Sequence, residues 1–162
     1  MNGKDILFYG DRTVLRSIDG IPVEAWDRPG VTGYWSVKNI ISHLASFEWV
    51  LVDLLIAQTA GGATPTLDMY IQNPARFNDI QVDELRANQS PQEALAEYRE
   101  AFARSSDLFA VFPAEGLRHT GSLPWYGAEY DLEDFIVYTF YGHKREHSAQ
   151  IDHFRDHVLR AG

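Results

Sequence analysis

The fold follows from residues 36–62, which read SVKNIISHLASFEWVLVDLLIAQTAGG. Ser36 is a good helix N-cap, and Trp35 before it can pack on Ile40 as a hydrophobic staple. Gly61-Gly62 supplies a C-terminal stop. Between these ends, apolar residues recur at helical spacing in two nearly opposite stripes: Ile40, Leu44, Phe47, Leu51 and Leu55, then Ile41, Ala45, Trp49, Val52 and Ile56. Such a helix is normally buried on both sides, and a long loop or another subunit must cover the second side. We therefore expect a homodimer.

Three further stretches show helical periodicity, and no strand pattern is visible. The first runs from about Gly3 to Ile18. Another begins at Ser90-Pro91, an N-cap followed by a proline at the first helical position, and runs to about residue 112. The last starts at Asp131 and continues to about residue 159. Residues 63–89 form a long connection with a short helix around residues 76–85. The sequence predicts an all-α four-helix bundle with one long crossover, a single domain over residues 1–162.

Composition excludes several function classes. The 162 residues carry 14 Lys and Arg against 23 Asp and Glu, a net charge of −9, which argues against nucleic acid or an anionic membrane as the main partner. Cysteine is absent, so a thiol nucleophile, a thiolate zinc site, an iron–sulfur cluster and disulfides are excluded. The N-terminus has no signal-peptide pattern. The most apolar window, residues 49–60, is interrupted by Asp53 and is shorter than the roughly 20 residues of a membrane span. We expect a cytoplasmic protein.

Three histidines lie on predicted core faces. His143 and His147 are four residues apart on the last helix, so both lie on one face. His43 lies on the second helix between Ile40 and Phe47, at the edge of its apolar stripe. Three neutral imidazoles can hold a divalent metal and leave positions open for water or substrate, which is a catalytic pattern. The alternative is three separate core histidines, each bonded to a backbone carbonyl or a hydroxyl group.

A second pair at the same spacing, His153 and His157, lies beside acidic residues in the last turns of the chain. A cation is favoured at that end of a helix, so we interpret these two as surface residues. Gln150 lies near the direction of the first pair and is expected behind the metal ligands. Glu146 is farther round the helix, where a surface or salt-bridge role is expected rather than that of a base.

The loops offer weaker candidates. Trp125-Tyr126, just before the last helix, could roof a pocket at the end of the bundle or simply anchor a loop. Asn78 could face the site or cap the short helix of the connection. The sequence contains no phosphate-cradling glycine loop and no serine in a nucleophile-elbow context, so no catalytic residue is assigned.

Two stretches resemble motifs of the DinB/YfiT-like superfamily. These are WSVKNIISHL, residues 35–44, and YGHKREHSAQI, residues 141–151. In that family a W-[ST]-x(n)-H-L stretch opens the second helix and H-x-x-x-H lies on the last helix. The resemblance covers nearly the whole chain. It implies an up-up-down-down four-helix bundle and a site at His43, His143 and His147 for zinc, nickel or another divalent ion.

The resemblance leaves the reaction open. Some members are thiol S-transferases that use low-molecular-weight thiols such as mycothiol or bacillithiol. Residues 123–126, LPWY, faintly resemble a small-molecule-detoxifying branch, but that branch often departs from the three-histidine set that this sequence retains. The leading hypothesis is a metal-dependent enzyme acting on a small molecule, with an external thiol as cofactor. Alternatives are a metal-dependent hydrolase, a non-catalytic metal-binding stress or detoxification module, and a metal-free helical interaction protein.

Overall fold

The computed structural model describes residues 3–159, which are mostly helical and contain no strand. Its seven α-helices are α1 (Gly3–Ile18), α2 (Val37–Thr59), α3 (Pro65–Gln72), α4 (Pro91–Ala110), α5 (Ala114–Leu117), α6 (Leu132–Ile136) and α7 (His143–His153). π-helical segments span Asp79–Glu84, Val137–Gly142 and Phe154–Leu159, and a 3₁₀ turn spans Val23–Ala25. The all-α prediction is confirmed.

Local sequence explains where the long helices begin. The Asn39 N–H donates to the Ser36 hydroxyl at 3.2 Å, and the Ser36 N–H donates to Asn39 Oδ1 at 3.0 Å. This reciprocal capping box satisfies two backbone donors that the first turn of α2 would otherwise leave unpaired. Ser90 and Asp131 start α4 and α6 in the same way. The predicted starts of three of the four long helices are therefore confirmed, each by side-chain caps.

The fourth predicted helix is one continuous helical run, residues 132–159, made of α6, α7 and two π-helical segments. The first π segment ends at Gly142, directly before His143. π-helical turns inside longer helices widen the coil locally and are frequent at functional sites. α1 packs along this run, whereas α2 packs mainly along α4.

Helix α4 covers the second apolar stripe of α2. Ile41, Ala45 and Val52 are almost fully inaccessible, and the Trp49 indole N–H donates to Glu97 of α4 at 3.0 Å. The cover that the sequence assigned to a long loop or another subunit thus comes from the same chain. The homodimer stays a prediction, but the apolar stripe that suggested it is covered by α4 of the same chain.

The connection between α2 and α4 is more ordered than the sequence predicts. Helix α3 was not predicted. The short helix expected around residues 76–85 is the π-helical segment Asp79–Glu84. The Asp53 carboxylate accepts the N–H groups of Thr66 and Leu67 at 2.7 and 3.1 Å. A buried polar residue of α2 therefore caps α3 and holds the crossover against the bundle.

Helix α2 is also the one described helix that is long and apolar enough to cross a membrane, with a mean hydropathy of 1.7 over its best window. The apolar window of residues 49–60 covers only part of this helix, which begins at Val37 as the Ser36 N-cap predicts. However, 78% of that best window is buried inside the protein. Burial by neighbouring helices accounts for the apolar character of α2.

Candidate metal centre

The three predicted histidines meet in the bundle. His143 Nε2 lies 2.9 Å from His43 Nε2 and 2.8 Å from His147 Nε2. Among the described residues, these three form the group of histidine and acidic side chains whose ligand atoms come close enough, within 4.8 Å of one another, to hold a metal ion. His43 and His147 are buried, and His143 is half-buried. Two distant stretches of chain, α2 and α7, therefore supply one cluster.

A hydrogen bond at the opposite nitrogen orients the His147 ring. His147 Nδ1 lies 2.8 Å from Gln150 Oε1, an atom that only accepts, so Nδ1 carries the proton. The His147 ring then presents an unprotonated Nε2 to the centre of the cluster. The backbone carbonyl of Thr139, one turn before His143, favours the protonated form of the His143 ring.

All three rings are neutral at neutral pH. Burial lowers the pKa of His43 well below its usual range, and the charges of the two neighbouring rings lower it further. Burial is also the main reason that the pKa of His143 falls to about 4. Burial lowers the pKa of His147 as well, although Gln150 and the charge of Glu146 oppose the shift. A buried site that disfavours protonated imidazole keeps the nitrogen lone pairs free.

This arrangement fits a divalent cation. The Nε2 atoms of the three rings lie close enough together to ligate one ion. Without an ion, a hydrogen bond between neutral rings, in which an Nε2–H donates to an unprotonated Nε2, accounts for a contact of 2.8 or 2.9 Å. Neutral imidazole is a common ligand of zinc, nickel and related ions. Three such ligands leave at least one coordination position open, as in catalytic rather than structural sites.

Aromatic rings surround the histidines. The rings of Trp35 and Phe47 lie 5.0 and 4.9 Å from that of His43, and Phe47 lies equally close to His143. Tyr70 of α3 packs on Phe47 at 5.6 Å. We call Trp35, Phe47 and Tyr70 the aromatic wall. Its apolar faces keep water from the protein side of the cluster and strengthen electrostatic interactions there.

Comparison with known proteins identifies the family. A family model described as the DinB superfamily matches residues 8–151, a range that contains all three histidines. The chain belongs to the DinB superfamily. No curated protein and no solved structure matches it. Members of this superfamily often bind metals, and a helical bundle with a buried histidine triad is consistent with that membership.

The structure brings some of the weaker candidates to the histidine cluster. Gln150 orients His147, as expected of a residue behind the ligands. Asn78 lies beside the His43 ring, where its side chain slightly favours the protonated form, and it makes no side-chain capping bond. Glu146 is exposed and acts on His147 through its charge.

The loop aromatics lie one layer farther out. The Trp125 ring packs on Tyr70 at 5.7 Å and reaches the histidines only through the aromatic wall. Tyr126 packs on Phe135 at 5.0 Å and on Tyr130, away from the cluster. Both are half-buried against the core. These contacts anchor the loop; a role of the two rings in roofing a pocket stays a prediction. His153 and His157 are exposed, as predicted.

Two contributors to the site were missed at the level of sequence. Tyr70 belongs to α3, whose start is indicated by Thr64-Pro65, a proline in the first helical turn. Thr139 contributes only its backbone carbonyl, which any residue four positions before His143 would offer. The helix that carries Tyr70 could have been found from the proline, whereas a backbone carbonyl such as that of Thr139 has no side-chain pattern that a sequence could show.

Proposed function

We propose that this DinB-superfamily protein binds a divalent metal ion, zinc or nickel, through the Nε2 atoms of His43, His143 and His147 and uses it in a reaction on a small molecule. The observation that supports the proposal is the convergence of three ring nitrogens from two distant helices, with the His147 ring oriented by the hydrogen bond between its Nδ1 and Gln150. Imidazole suits both metals, and neutral ligands leave the full positive charge of the ion available.

A divalent ion at this site would supply Lewis-acid chemistry, lowering the pKa of a coordinated thiol or water near neutral pH. The residues around the ion would have roles of their own. Gln150 holds the His147 ring in the ligating tautomer. The aromatic wall presents Phe47 and Tyr70 as apolar surface beside the cluster. This surface favours a small substrate with an apolar or aromatic part.

Thiol transfer is the specific reaction that we propose. The chain has no cysteine, so the attacking sulfur must come from an external low-molecular-weight thiol. The sulfur forms a bond to an electrophilic carbon, the leaving group departs with its electron pair, and the thiol proton passes to solvent. Such thiols are kept reduced inside the cell, so a cytoplasmic location is part of the proposal. The negative net charge supports a small molecule as partner rather than nucleic acid or an anionic membrane.

Metal content tests the first part of the proposal. Protein purified without an affinity tag is analysed for elements, as wild type and as His143→Ala and His153→Ala variants. We expect close to one zinc or nickel ion per wild-type chain, loss of the ion in His143→Ala, and unchanged content in His153→Ala, whose exposed ring lies outside the cluster. Metal-free wild type, or equal loss in both variants, would refute the metal site.

Turnover tests the second part. A reactive alkyl electrophile is offered to metal-loaded protein with and without a low-molecular-weight thiol. We expect product only when thiol and metal are both present, and none with the His143→Ala variant. Activity that is unchanged without thiol would rule out transfer and favour hydrolysis at the same site. A non-catalytic module would give a different result. The metal-loaded wild type would show no turnover, and His147→Ala would lower the stability of the protein.

A further inference from the structure

Behind the histidine cluster lies a buried ion pair between Glu48 and Lys144. The Lys144 Nζ contacts Glu48 Oε1, and the two side chains are only 2% and 0% exposed. Lys144 directly follows the ligand His143, and Glu48 lies five residues after His43 on α2. The pair therefore links the same two helices that the histidines link, from a different side.

Polar and aromatic groups from the other helices surround this pair. The Ser105 hydroxyl of α4 donates to Glu48 Oε2 at 2.6 Å. The Lys144 Nζ lies 4.9 Å from the centre of the Phe102 ring and 5.5 Å from that of Tyr98. The Tyr98 hydroxyl donates to Asp11 Oδ1 of α1 at 3.0 Å. The network thus reaches all four long helical elements of the bundle.

Stability alone does not explain a pair of charges in this position. Removing two charges from water carries a large desolvation penalty, and replacing a buried ion pair by apolar side chains of similar volume is often neutral or stabilising. A buried polar pair does, however, fix register, because the charges tolerate only one relative placement of the two elements.

The helices that carry the ligands need such a link. α2 packs mainly on α4, α7 packs mainly on α1, and direct contact between α2 and α7 is slight. The 2.9 Å approach of His43 Nε2 to His143 Nε2 therefore depends on two helices whose principal partners are different. The Glu48–Lys144 pair is one of the side-chain links between them in the described part of the chain.

We propose that Glu48 and Lys144 are positioning residues, which fix the rotation and register of α7 against α2 so that the three ligand nitrogens meet. For its effect on metal binding the inference rests on the proposed function. Removing the pair should leave the bundle folded but separate His43 from His143 and His147. We therefore expect zinc affinity to fall without a comparable fall in the free energy of unfolding.

The test variant is the double substitution Glu48→Gln with Lys144→Met, which removes both charges and keeps side-chain size. Its matched control is Arg86→Met with Glu97→Gln, another largely buried ion pair that does not involve α7. Zinc affinity is measured by chelator competition and unfolding by urea titration. We expect the test variant to lose roughly 10- to 100-fold in zinc affinity, and the control to keep wild-type affinity whatever its stability.

A second measurement needs no metal. In metal-free protein, the nuclear Overhauser effect between the His43 and His143 rings should be present in wild type and control and absent in the test variant. If the double variant does not fold, Glu48→Asp replaces it, since it keeps the charge and shortens the link by one methylene; the same losses are expected. A folded variant with wild-type affinity and the ring contact intact overturns the proposal. Wild type that binds no zinc overturns the proposed function instead, and the ring contact still decides this inference.

Discussion

The protonation of individual ring nitrogens determines what the histidine cluster can bind. Gln150 Oε1 accepts a hydrogen bond from His147 Nδ1. A ring held in this way turns the lone pair of Nε2 toward the centre of the cluster. Partners of this kind orient metal ligands and raise their basicity, so they contribute to affinity without touching the ion.

Substitution of Gln150 tests this role. Changing Gln150 to Leu removes the acceptor, frees the His147 ring to rotate or change tautomer, and should weaken zinc binding roughly 10- to 100-fold in chelator competition. Changing Gln150 to Glu keeps an acceptor oxygen and should retain most of the affinity. Equal affinities for wild type and the Leu variant would show that Gln150 does not orient the ring.

The close approach of α1 to residues 132–159 depends on Gly10. A Cβ atom on Gly10 of α1 would collide with the Phe140 carbonyl oxygen and would lie 3.2 Å from Lys144 Cδ. Backbone atoms cannot yield as a flexible side chain can, so any larger residue must push α1 away from residues 132–159. This contact brings α1 against the segment that carries His143.

We therefore expect Gly10→Ala to lower the free energy of unfolding by about 1–3 kcal/mol in urea titrations. Gly142→Ala is the matched control. Gly142 is also helical, but its added Cβ would meet Val137 O at an ordinary 3.7 Å. The control should stabilise the protein by about 0.5–1 kcal/mol, since glycine is a poor helix former. A change of the same sign in the free energy of unfolding of both variants would show that Gly10 is not required by close packing.

The crossover is tied to α4 by Glu97, which accepts hydrogen bonds from Arg86, Gln89 and the Trp49 indole. Burial alone would raise the pKa of Glu97, but the bonds and charge of Arg86, with the bonds from Gln89 and Trp49, hold it below 4.5. A carboxyl group whose pKa is lower in the folded than in the unfolded chain stabilises the fold at higher pH. That stabilisation is present above about 4.5 and is lost as the pH falls through the folded value.

The stability difference between wild type and Glu97→Gln should therefore be constant near neutral pH and shrink on acidification below about pH 4.5. Urea titrations of both proteins across the acidic range measure it. A difference that does not change with pH would show that the ion pair does not shift this titration.

At the scale of the whole molecule, the long helices form two packed pairs, α1 with residues 132–159 and α2 with α4. The histidine cluster lies where the pairs meet, with His43 on one and His143 and His147 on the other. A ligand that bridges the two pairs binds the folded chain and not the unfolded one. Its binding energy then adds to the stability of the entire bundle.

Zinc should therefore stabilise the protein globally, by about 2.7 kcal/mol when free zinc is a hundred times its dissociation constant. Thermal unfolding with zinc, and again after a chelator, measures the gain and its reversal. The His147→Ala variant should show no zinc-dependent gain. A gain that survives in that variant would place the binding elsewhere, for example at the exposed His153–His157 pair, whose rings are 4.7 Å apart.

Local patterns in the chain are sufficient for much of this fold. Three kinds of pattern depend only on neighbours within one or two helical turns: the spacing of apolar residues, the spacing of histidines, and the caps at Ser36, Ser90 and Asp131. They can therefore be recognised from the sequence alone. The inward direction of His43, His143 and His147 can be recognised in the same way. Helical periodicity shows which face of a helix carries a residue, and the apolar residues on that face show that it is turned toward the core.

Contacts between distant stretches depend on the assembled bundle. Whether α4 or a second copy covers α2, and how Asp53 caps α3, follow from helix packing, which the local pattern does not contain. The link from Glu48 to Lys144 was unforeseen for the same reason, since two charged residues nearly 100 positions apart look like surface residues until the helices place them together. The 2.9 Å approach of His43 to His143 belongs to this second class, because only the packing of four helices sets a distance between separate elements.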